Sequence, residues 1–142
     1  MTCELCDTDG GALLWRDEHL RIIRIDDADY PMFCRVVWNA HVREMTDLEE
    51  PQRQYLMGVV FALEQALRNL LNPAKINLAS LGNQTPHLHW HVIPRFRDDR
   101  HFPQPVWAQD VRADGQRQPL RVSDETLKVE LAKVLAGALQ QG

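Results

Sequence analysis

Three histidines alternate with apolar residues near the middle of the chain, in the run His87-Leu88-His89-Trp90-His91-Val92-Ile93. Successive side chains of a β-strand point to opposite faces of the sheet, so the three imidazoles share one face. The apolar side chains between them share the other face and are expected to pack under a helix. The pattern therefore predicts a strand over residues 87–94 with one chemically active face and one core face.

Four further strands are predicted from runs of β-prone residues that lie between turn-forming residues. These strands are expected at residues 12–15, 20–25, 32–38 and 75–81. The third and fourth are separated by the segment that contains the clearest helical pattern in the chain. Strands on both sides of one helix favour an α+β domain with a largely antiparallel sheet.

Two helices are predicted. Over residues 51–71 leucines and a valine recur at helical spacing, after Pro51 in the first turn and before Asn72-Pro73, which ends the helix. A second helix is expected over about 124–139, because Ser123 is a typical N-cap and an apolar stripe follows it. The polar, proline-dotted segment 95–122 is expected to be mostly loop.

The composition excludes several classes of protein. The 142 residues suit one domain, and the formal net charge of −4 argues against a broad basic surface for nucleic acid, although a small anionic ligand remains compatible. No apolar run approaches the roughly 18 residues of a membrane span, so no membrane partner is expected. The N-terminus has no basic region followed by an apolar one, so no signal peptide is expected. Three cysteines do not suggest a disulfide framework, and a cytoplasmic setting is expected.

Two chemistries suit a row of imidazoles on one strand face. A lone buried histidine is usually structural, but three at strand spacing seldom are. Neutral imidazole is a common metal ligand, and two histidines two residues apart on a strand can chelate one ion. Alternatively, one histidine attacks a phosphoryl centre and forms a covalent intermediate, while its neighbour binds phosphate oxygens or passes a proton to the leaving group. Both chemistries fit the residues.

The run matches the histidine triad (HIT) pattern, His-φ-His-φ-His-φ-φ with φ apolar, at every position. The preceding segment 77–86 resembles the stretch that this family places before its triad, and residues 36–41 resemble its strand that ends in Pro-Lys-x-His. The chain is therefore similar to the HIT family over roughly residues 3–107, followed by a C-terminal extension and helix over 108–142. Together these would form one HIT domain over residues 1–142. It looks most like the bacterial members described as diadenosine-polyphosphate-hydrolase-like.

This resemblance implies a HIT-like fold, with about five mainly antiparallel strands, one long helix and a C-terminal helix. It also implies a hydrolase or transferase that acts at the α-phosphate of a purine nucleotide, usually as a homodimer and without an organic cofactor. His89 matches the family's nucleophile, which forms a nucleotidyl-histidine that water resolves. A main-chain carbonyl would hold its Nδ1–H, leaving Nε2 free to attack. His91 matches the residue that contacts the phosphate and the leaving group.

Other positions match the family's substrate-binding residues. Asn77, Gln84 and Thr85 match positions that line the phosphate site, where neutral donors can stabilise oxygens that gain charge. A ribose-binding acid is expected at the end of the second strand. Asp26 is favoured for this role over Asp27.

The sequence departs from the family pattern in three places. The usual Gly-His before the third strand is Met32-Phe33, so one family histidine is missing. The Pro-Lys pair is Trp38-Asn39. Gln84 and His87 are one residue closer together than in the commonest branches, with Pro86 between them. These changes affect the expected contacts to the leaving group and leave the nucleophile in place.

The resemblance also implies a zinc site. Cys3-x-x-Cys6 has the spacing of a metal knuckle. Some HIT proteins and their uridylyltransferase relatives hold zinc with such a pair, the histidine after the third strand and the first triad histidine. These positions correspond to Cys3, Cys6, His41 and His87 here, and a closed Cys₂His₂ site would be structural. His89, about 6.6 Å along the strand from His87, would stay free for chemistry.

Two other hypotheses remain open at the level of sequence. The chain is a nucleotide-binding or scaffold protein with little turnover, or it is a metalloenzyme that uses the three triad histidines as joint ligands. Trp107 is expected to border either the nucleotide site or a partner subunit. Three arginines after the triad either reach the far phosphates of a long substrate or, as we favour, belong to a solvated loop: Arg95, Arg97 and Arg100.

Overall fold

The computed structural model describes residues 2–112, 119 and 121–139. The elements over these residues are α1 (Glu4–Asp7), β1 (Ala12–Arg16), β2 (Leu20–Arg24), β3 (Cys34–Trp38), α2 (Glu50–Leu71), β4 (Lys75–Ala79), β5 (His89–Arg95) and α3 (Asp124–Leu139). The strands form one antiparallel sheet in the order β1-β2-β3-β5-β4. The predicted α+β class and antiparallel sheet are therefore confirmed. The parts of the expected loop and extension at 113–118, 120 and 140–142 lie outside the described residues.

The long helix α2 begins and ends as its local chemistry requires. Glu49 and Gln52 form a capping box, and Pro51 occupies the first turn. Asn72 adopts the left-handed conformation, with φ 45°, and Pro73 follows it. The helix starts one residue before the predicted 51–71 and ends where predicted. Among the described helices none is both long and apolar enough to cross a bilayer.

One face of the sheet packs against α2 and forms the main core. This layer buries Ile22, Val36 and Val92 from the sheet, together with Leu88 just before β5, against Leu56, Val60, Leu63 and Leu67 from the helix. Trp90 is half-buried against the same core, so the predicted core face of the histidine-bearing strand is confirmed. Each fully buried aliphatic side chain contributes roughly 1.5–3 kcal/mol to folding. The strand that carries the histidines is thus fixed by its packing on α2. Helix α3 packs on α2 through Leu127, Leu131 and Leu135.

Strand β5 begins at His89, two residues after the predicted start at His87. The chain leaves the regular ladder at Leu88, whose N–H donates to the carbonyl of Val42 at 2.8 Å and whose carbonyl accepts from the N–H of Trp38 at 3.2 Å. His87 therefore lies just outside the sheet, against the segment that follows β3. This offset separates its surroundings from those of the other two triad histidines.

Three other strands are shorter than predicted. β2 ends at Arg24, β3 begins at Cys34 and β4 ends at Ala79. Before β3, the N–H of Phe33 donates to the carbonyl of Tyr30 at 3.1 Å, so residues 30–33 form a turn. The sequence pattern instead predicts that the β-prone residues 32 and 33 belong to the strand.

The face opposite α2 carries the short helix α1, which the sequence pattern does not predict. Leu5 is 2% exposed and packs on Ile23 and Val37. The buried guanidinium of Arg21 donates to three main-chain carbonyls within residues 5–9, at 2.6, 3.1 and 3.0 Å. At Gly10, where φ is +91°, a Cβ would lie 2.6 Å from Leu5 Cδ2, so only glycine suits this turn. These contacts hold the N-terminal segment beside the end of β3.

The chain after β5 folds around a buried ion pair. Arg95 Nε lies 2.8 Å from Asp99 Oδ2, and the two side chains are 3% and 2% exposed. The carboxylate of Asp99 also accepts backbone N–H groups from Phe96, His101 and Phe102. Arg95 is therefore buried and ion-paired, so the expectation that it belongs to a solvated loop was wrong. Arg100 is also paired, with Asp29 and Asp110, whereas Arg97 is exposed.

Candidate active site and metal centre

A cavity of about 430 Å³ lies on the face of the sheet opposite α2. His89 and His91 both line it, and their ring centroids are 4.9 Å apart. The other lining residues are Arg35, Leu81, Gly82, Asn83, Gln84, Thr85 and Trp107. The structure thus brings two predicted catalytic residues together with two predicted phosphate-site residues, Gln84 and Thr85.

His89 is held in one orientation. Its side chain is buried, and Nδ1 lies 2.6 Å from the main-chain oxygen of His87. A carbonyl oxygen only accepts, so Nδ1 carries the proton in the neutral ring. Over the residues that the structure describes, Nε2 makes no hydrogen bond, and it keeps its lone pair. Burial lowers the pKa of His89, which favours this neutral, nucleophilic form.

His91 is uncharged at neutral pH. Burial, the guanidinium of Arg35 and the neighbouring ring of His89 lower the pKa of His91 to about 4. The ring of Phe33 lies against it, with 5.4 Å between centroids. Phe33 is the residue that replaces the family's missing histidine, so that position packs on His91 and offers no hydrogen bond of its own.

The charge of this cavity is opposite to that of the whole protein. Its lining contains one arginine, two histidines and several neutral donors, and none of those lining residues is a carboxylate. The chain as a whole carries a formal charge of −4. A local positive site of this kind favours an anionic ligand.

Sequence reasoning missed Arg35. It lies on β3 directly opposite His91 in the antiparallel register. The signal in the sequence was a single cation in the apolar strand Cys34–Trp38, but that signal points to the triad only once the β3–β5 pairing is known.

Asn77 and Asp26 are placed elsewhere. The Oδ1 of Asn77 accepts from Arg95 Nη1 at 2.9 Å, and its side chain lines a neighbouring cavity of about 560 Å³. Asn77 pairs with Ile93, two residues along the strands from the pair of Ala79 and His91, so its side chain lies on the same face of the sheet as the triad. Asp26 is exposed after β2 and lines neither of these two cavities. Trp107 lines both cavities and is 69% exposed.

The four residues expected to bind zinc come together at one point. Ligand atoms of Cys3, Cys6, His41 and His87 all lie within 4.8 Å of one another. The two Nδ1 atoms are 3.2 Å apart, and three sulfur–nitrogen distances are 3.4, 3.4 and 3.5 Å. Bonds of about 2.0 Å to nitrogen and about 2.3 Å to sulfur give tetrahedral edges of about 3.3 Å between two nitrogens and about 3.5 Å between nitrogen and sulfur. The donor set and its spacing therefore fit a tetrahedral zinc ion.

His87 is oriented as a metal ligand requires. It is 1% exposed, and Nε2 lies 2.6 Å from the main-chain oxygen of Trp38. Nε2–H therefore donates to that carbonyl, and the lone pair of Nδ1 faces the two cysteines and His41. Burial lowers the pKa of His87, so the ring is neutral.

The three triad histidines do not converge on a common metal. Across the described part of the chain, one group of potential ligands is close enough to hold an ion, and it contains His87 without His89 or His91. The Nδ1 of His89 is occupied by the carbonyl of His87, and its ring lines the cavity. The structure divides the motif into His87, which lies in the Cys/His cluster, and two histidines that line the cavity.

Comparison with known proteins agrees with this arrangement. The HIT domain family model matches residues 10–98. A histidine triad protein from Bradyrhizobium japonicum is 26% identical, with 96% of each chain covered and a TM-score of 0.69. One from Marinobacter aquaeolei VT8 is 25% identical, with 99% of this chain and 96% of that chain covered and a TM-score of 0.67. A Zn-bound histidine triad family protein from Mycobacterium smegmatis shares the fold at 19% identity, with 96% and 98% covered and a TM-score of 0.68. No curated protein matches the sequence.

Proposed function

The chain belongs to the histidine triad family, and from this premise we propose that it is a nucleotide hydrolase or transferase in which His89 attacks the α-phosphate. One observation carries the proposal. The 2.6 Å contact between His89 Nδ1 and the main-chain oxygen of His87 leaves Nε2 with a lone pair, in a cavity lined by one arginine and several neutral donors. An oriented, neutral imidazole is the form that attacks phosphorus.

The reaction proceeds in two displacements. In the first, Nε2 of His89 forms a bond to the α-phosphorus, the bond from phosphorus to the leaving group breaks, and the leaving group departs with its electron pair. In the second, water attacks the same phosphorus, and the N–P bond breaks with its electron pair returning to Nε2. The proton of that water passes to solvent. Another acceptor in place of water makes the same enzyme a transferase.

The other residues of the cavity stabilise charge that develops on the phosphoryl oxygens. His91 contacts the phosphate and leaving group as an uncharged N–H donor, since its pKa is about 4. Gln84 and Thr85, which line the same cavity, donate from the loop before β5.

We assign the substrate to purine nucleotides that carry a phosphoanhydride or phosphoramidate at the α-phosphate. Dinucleoside polyphosphates suit the branch that the sequence resembles. Asp26 is the proposed ribose ligand, and Asn77 extends the phosphate site along the same sheet face. No organic cofactor is required by either displacement.

We further propose one structural zinc ion, bound by Cys3, Cys6, His41 and His87. The fit of their spacing to a tetrahedron supports it, and so does the zinc-bound relative from Mycobacterium smegmatis. When bound, the ion cross-links the N-terminal segment to the ends of β3 and β5. The ion then also holds His87, whose main-chain oxygen orients His89.

We also propose that the protein is a homodimer. Trp107 is 69% exposed and Leu81 is 55% exposed, and both line the mouth of the triad cavity. A second copy would cover these apolar side chains. Sedimentation analysis is the test, and a monomer at all accessible concentrations would contradict it.

Turnover of a nucleotide panel tests the mechanism. Wild type, His89→Ala and the control His19→Ala, which changes an exposed histidine outside the cavity, are incubated with adenosine and guanosine phosphoramidates and with dinucleoside polyphosphates. Each assay is run with and without chelator, and intact mass at neutral pH detects the nucleotidyl adduct. We expect turnover and adduct in wild type and His19→Ala, and neither in His89→Ala.

The remaining outcomes decide between the alternatives. Full activity of His89→Ala would overturn the covalent mechanism. Loss of activity with chelator, without unfolding, would favour a catalytic metal. Tight nucleotide binding without turnover would favour a scaffold protein.

A further inference from the structure

Arg35 is a half-buried cation whose Nε has no protein partner. That nitrogen is inaccessible to solvent and makes no hydrogen bond within the described chain. The ring of Phe33 lies beside the guanidinium, with its centroid 5.7 Å from Cζ. Burial lowers the pKa of Arg35, which reflects the cost of keeping this charge away from water. Arg21 on β2 differs, because all three nitrogens of its guanidinium donate hydrogen bonds to the N-terminal segment or to Asn39.

Arg35 is half-buried at a position next to the proposed catalytic histidines. Arg35 lies directly opposite His91 in the β3–β5 register, and Val37 lies opposite His89. The side chain of Arg35 is therefore on the same face of the sheet as the triad histidines. It also lines the 430 Å³ cavity with both histidines. The carboxylate of Glu4 acts on its charge, but Glu4 is exposed and forms no ion pair with Arg35 over the residues described.

We propose that Arg35 is a substrate-binding residue that pairs with the non-bridging oxygens of the phosphoryl group attacked by His89. This inference rests on the proposed function and adds a residue to it. A guanidinium presents donors in a plane and binds two phosphate oxygens at once, which fixes the orientation of the group as well as its charge. From β3 it contacts the phosphoryl group on the side away from the Gln84 loop. Its charge offsets the charge that spreads over those oxygens during transfer.

The residue at position 33 fits this role. The family's histidine is absent there, and the ring of Phe33 lies beside both the guanidinium of Arg35 and the ring of His91. Position 33 therefore offers a phosphate no hydrogen bond, whereas Arg35, two residues later on the same face of β3, offers a permanent cation. Unlike a histidine, that cation keeps its charge throughout the physiological pH range.

Binding of AMP and GMP compared with adenosine and guanosine tests the inference by calorimetry, in the zinc-loaded full-length protein. Variants are Arg35→Gln, Arg35→Lys and the control Arg43→Gln, which removes an exposed arginine outside the cavity. We expect Arg35→Gln to bind the nucleotides at least ~10-fold more weakly, because charge-assisted hydrogen bonds are removed, and to bind the nucleosides as wild type does. Arg35→Lys should recover part of the affinity, and Arg43→Gln should bind as wild type.

Thermal melting separates binding from folding. Removing a partly buried charge that has no ion-pair partner should not lower stability, so Arg35→Gln should melt at or above the wild-type temperature. Nucleotide binding unchanged in a folded Arg35→Gln protein would overturn the inference, and so would an equal loss for nucleosides. Turnover is measured separately: a wild type that binds AMP through Arg35 but forms no adduct with any substrate refutes the proposed reaction and leaves the role of Arg35 intact.

Discussion

Nδ1 of His89 donates to the main-chain oxygen of His87 across 2.6 Å, so the proposed nucleophile is oriented by a proposed metal ligand. His87 has its own Nε2–H on the carbonyl of Trp38 and its Nδ1 in the cluster of cysteines. The two sites therefore share a residue although they perform different tasks. Loss of the metal should therefore disturb His89, because it would move the peptide group of His87 that orients the His89 ring.

Zinc removal should lower both stability and activity. We expect purified protein to contain one equivalent of zinc, and Cys6→Ser or prolonged dialysis against chelator to remove it and lower the melting temperature. Structural zinc contributes folding free energy directly, so the loss should amount to several kcal/mol. Elemental analysis and thermal melting measure the two effects, with Cys34→Ser as a buried-cysteine control outside the cluster. Metal-free protein with unchanged stability would exclude the structural role.

Gly10→Ala should weaken the metal site without touching a ligand. The added Cβ would lie 2.6 Å from Leu5 Cδ2, and the residue has a φ of +91°, so we expect the buried Leu5 and the α1 backbone that carries it to shift. Cys3 and Cys6 flank Leu5 and would move with it. Competition with a colorimetric chelator should show faster zinc release than in Gly137→Ala, where a Cβ meets open space. Equal release rates would show that α1 does not position the cysteines.

Asp99→Ala should destabilise the segment after β5. It leaves the guanidinium of Arg95 buried and unpaired, and it removes acceptors for three backbone N–H groups. Breaking a buried pair in this way costs about 3–5 kcal/mol. Urea unfolding measures the change, and Asp98→Ala, an exposed neighbour, provides the comparison. A change below ~1 kcal/mol would mean that water readily replaces the carboxylate.

The pKa of His91 should depend on its burial and on the charge of Arg35. Its pKa is about 4 in the folded protein, against an ordinary value of 6.5, so the unfolded chain takes up this proton first as the pH falls. The contribution of His91 to stability is therefore complete above pH 6.5 and decreases as the pH falls towards 4. Ring proton NMR should show a midpoint near 4. Arg35→Gln should raise the midpoint, and an unchanged midpoint would show that the guanidinium does not act on the ring.

The local pattern of the sequence predicted most of the secondary structure. Helices and strands arise from periodicity and from caps such as Pro51 and Ser123, which act over a few residues. Helix α1 was missed because its four residues are too few to show a period, and because a distant residue of the sheet, Arg21, binds the carbonyl of Leu5 within it. The start of β5 at His89 was missed for a related reason, since Leu88 bonds to Val42 and not to a regular ladder partner.

The candidate site divides in the same way. The spacing of His87, His89 and His91 by itself placed all three on one extended segment, because side-chain alternation is a local property of the backbone. The family resemblance suggested that His87 belongs with Cys3 and Cys6, but only the tertiary structure brings its ring beside those cysteines, 84 and 81 positions away, and places Arg35 opposite His91. Those relations depend on which strands pair and in what register. Pairing is set by burial of the whole apolar face under α2, which no single stretch of the sequence contains.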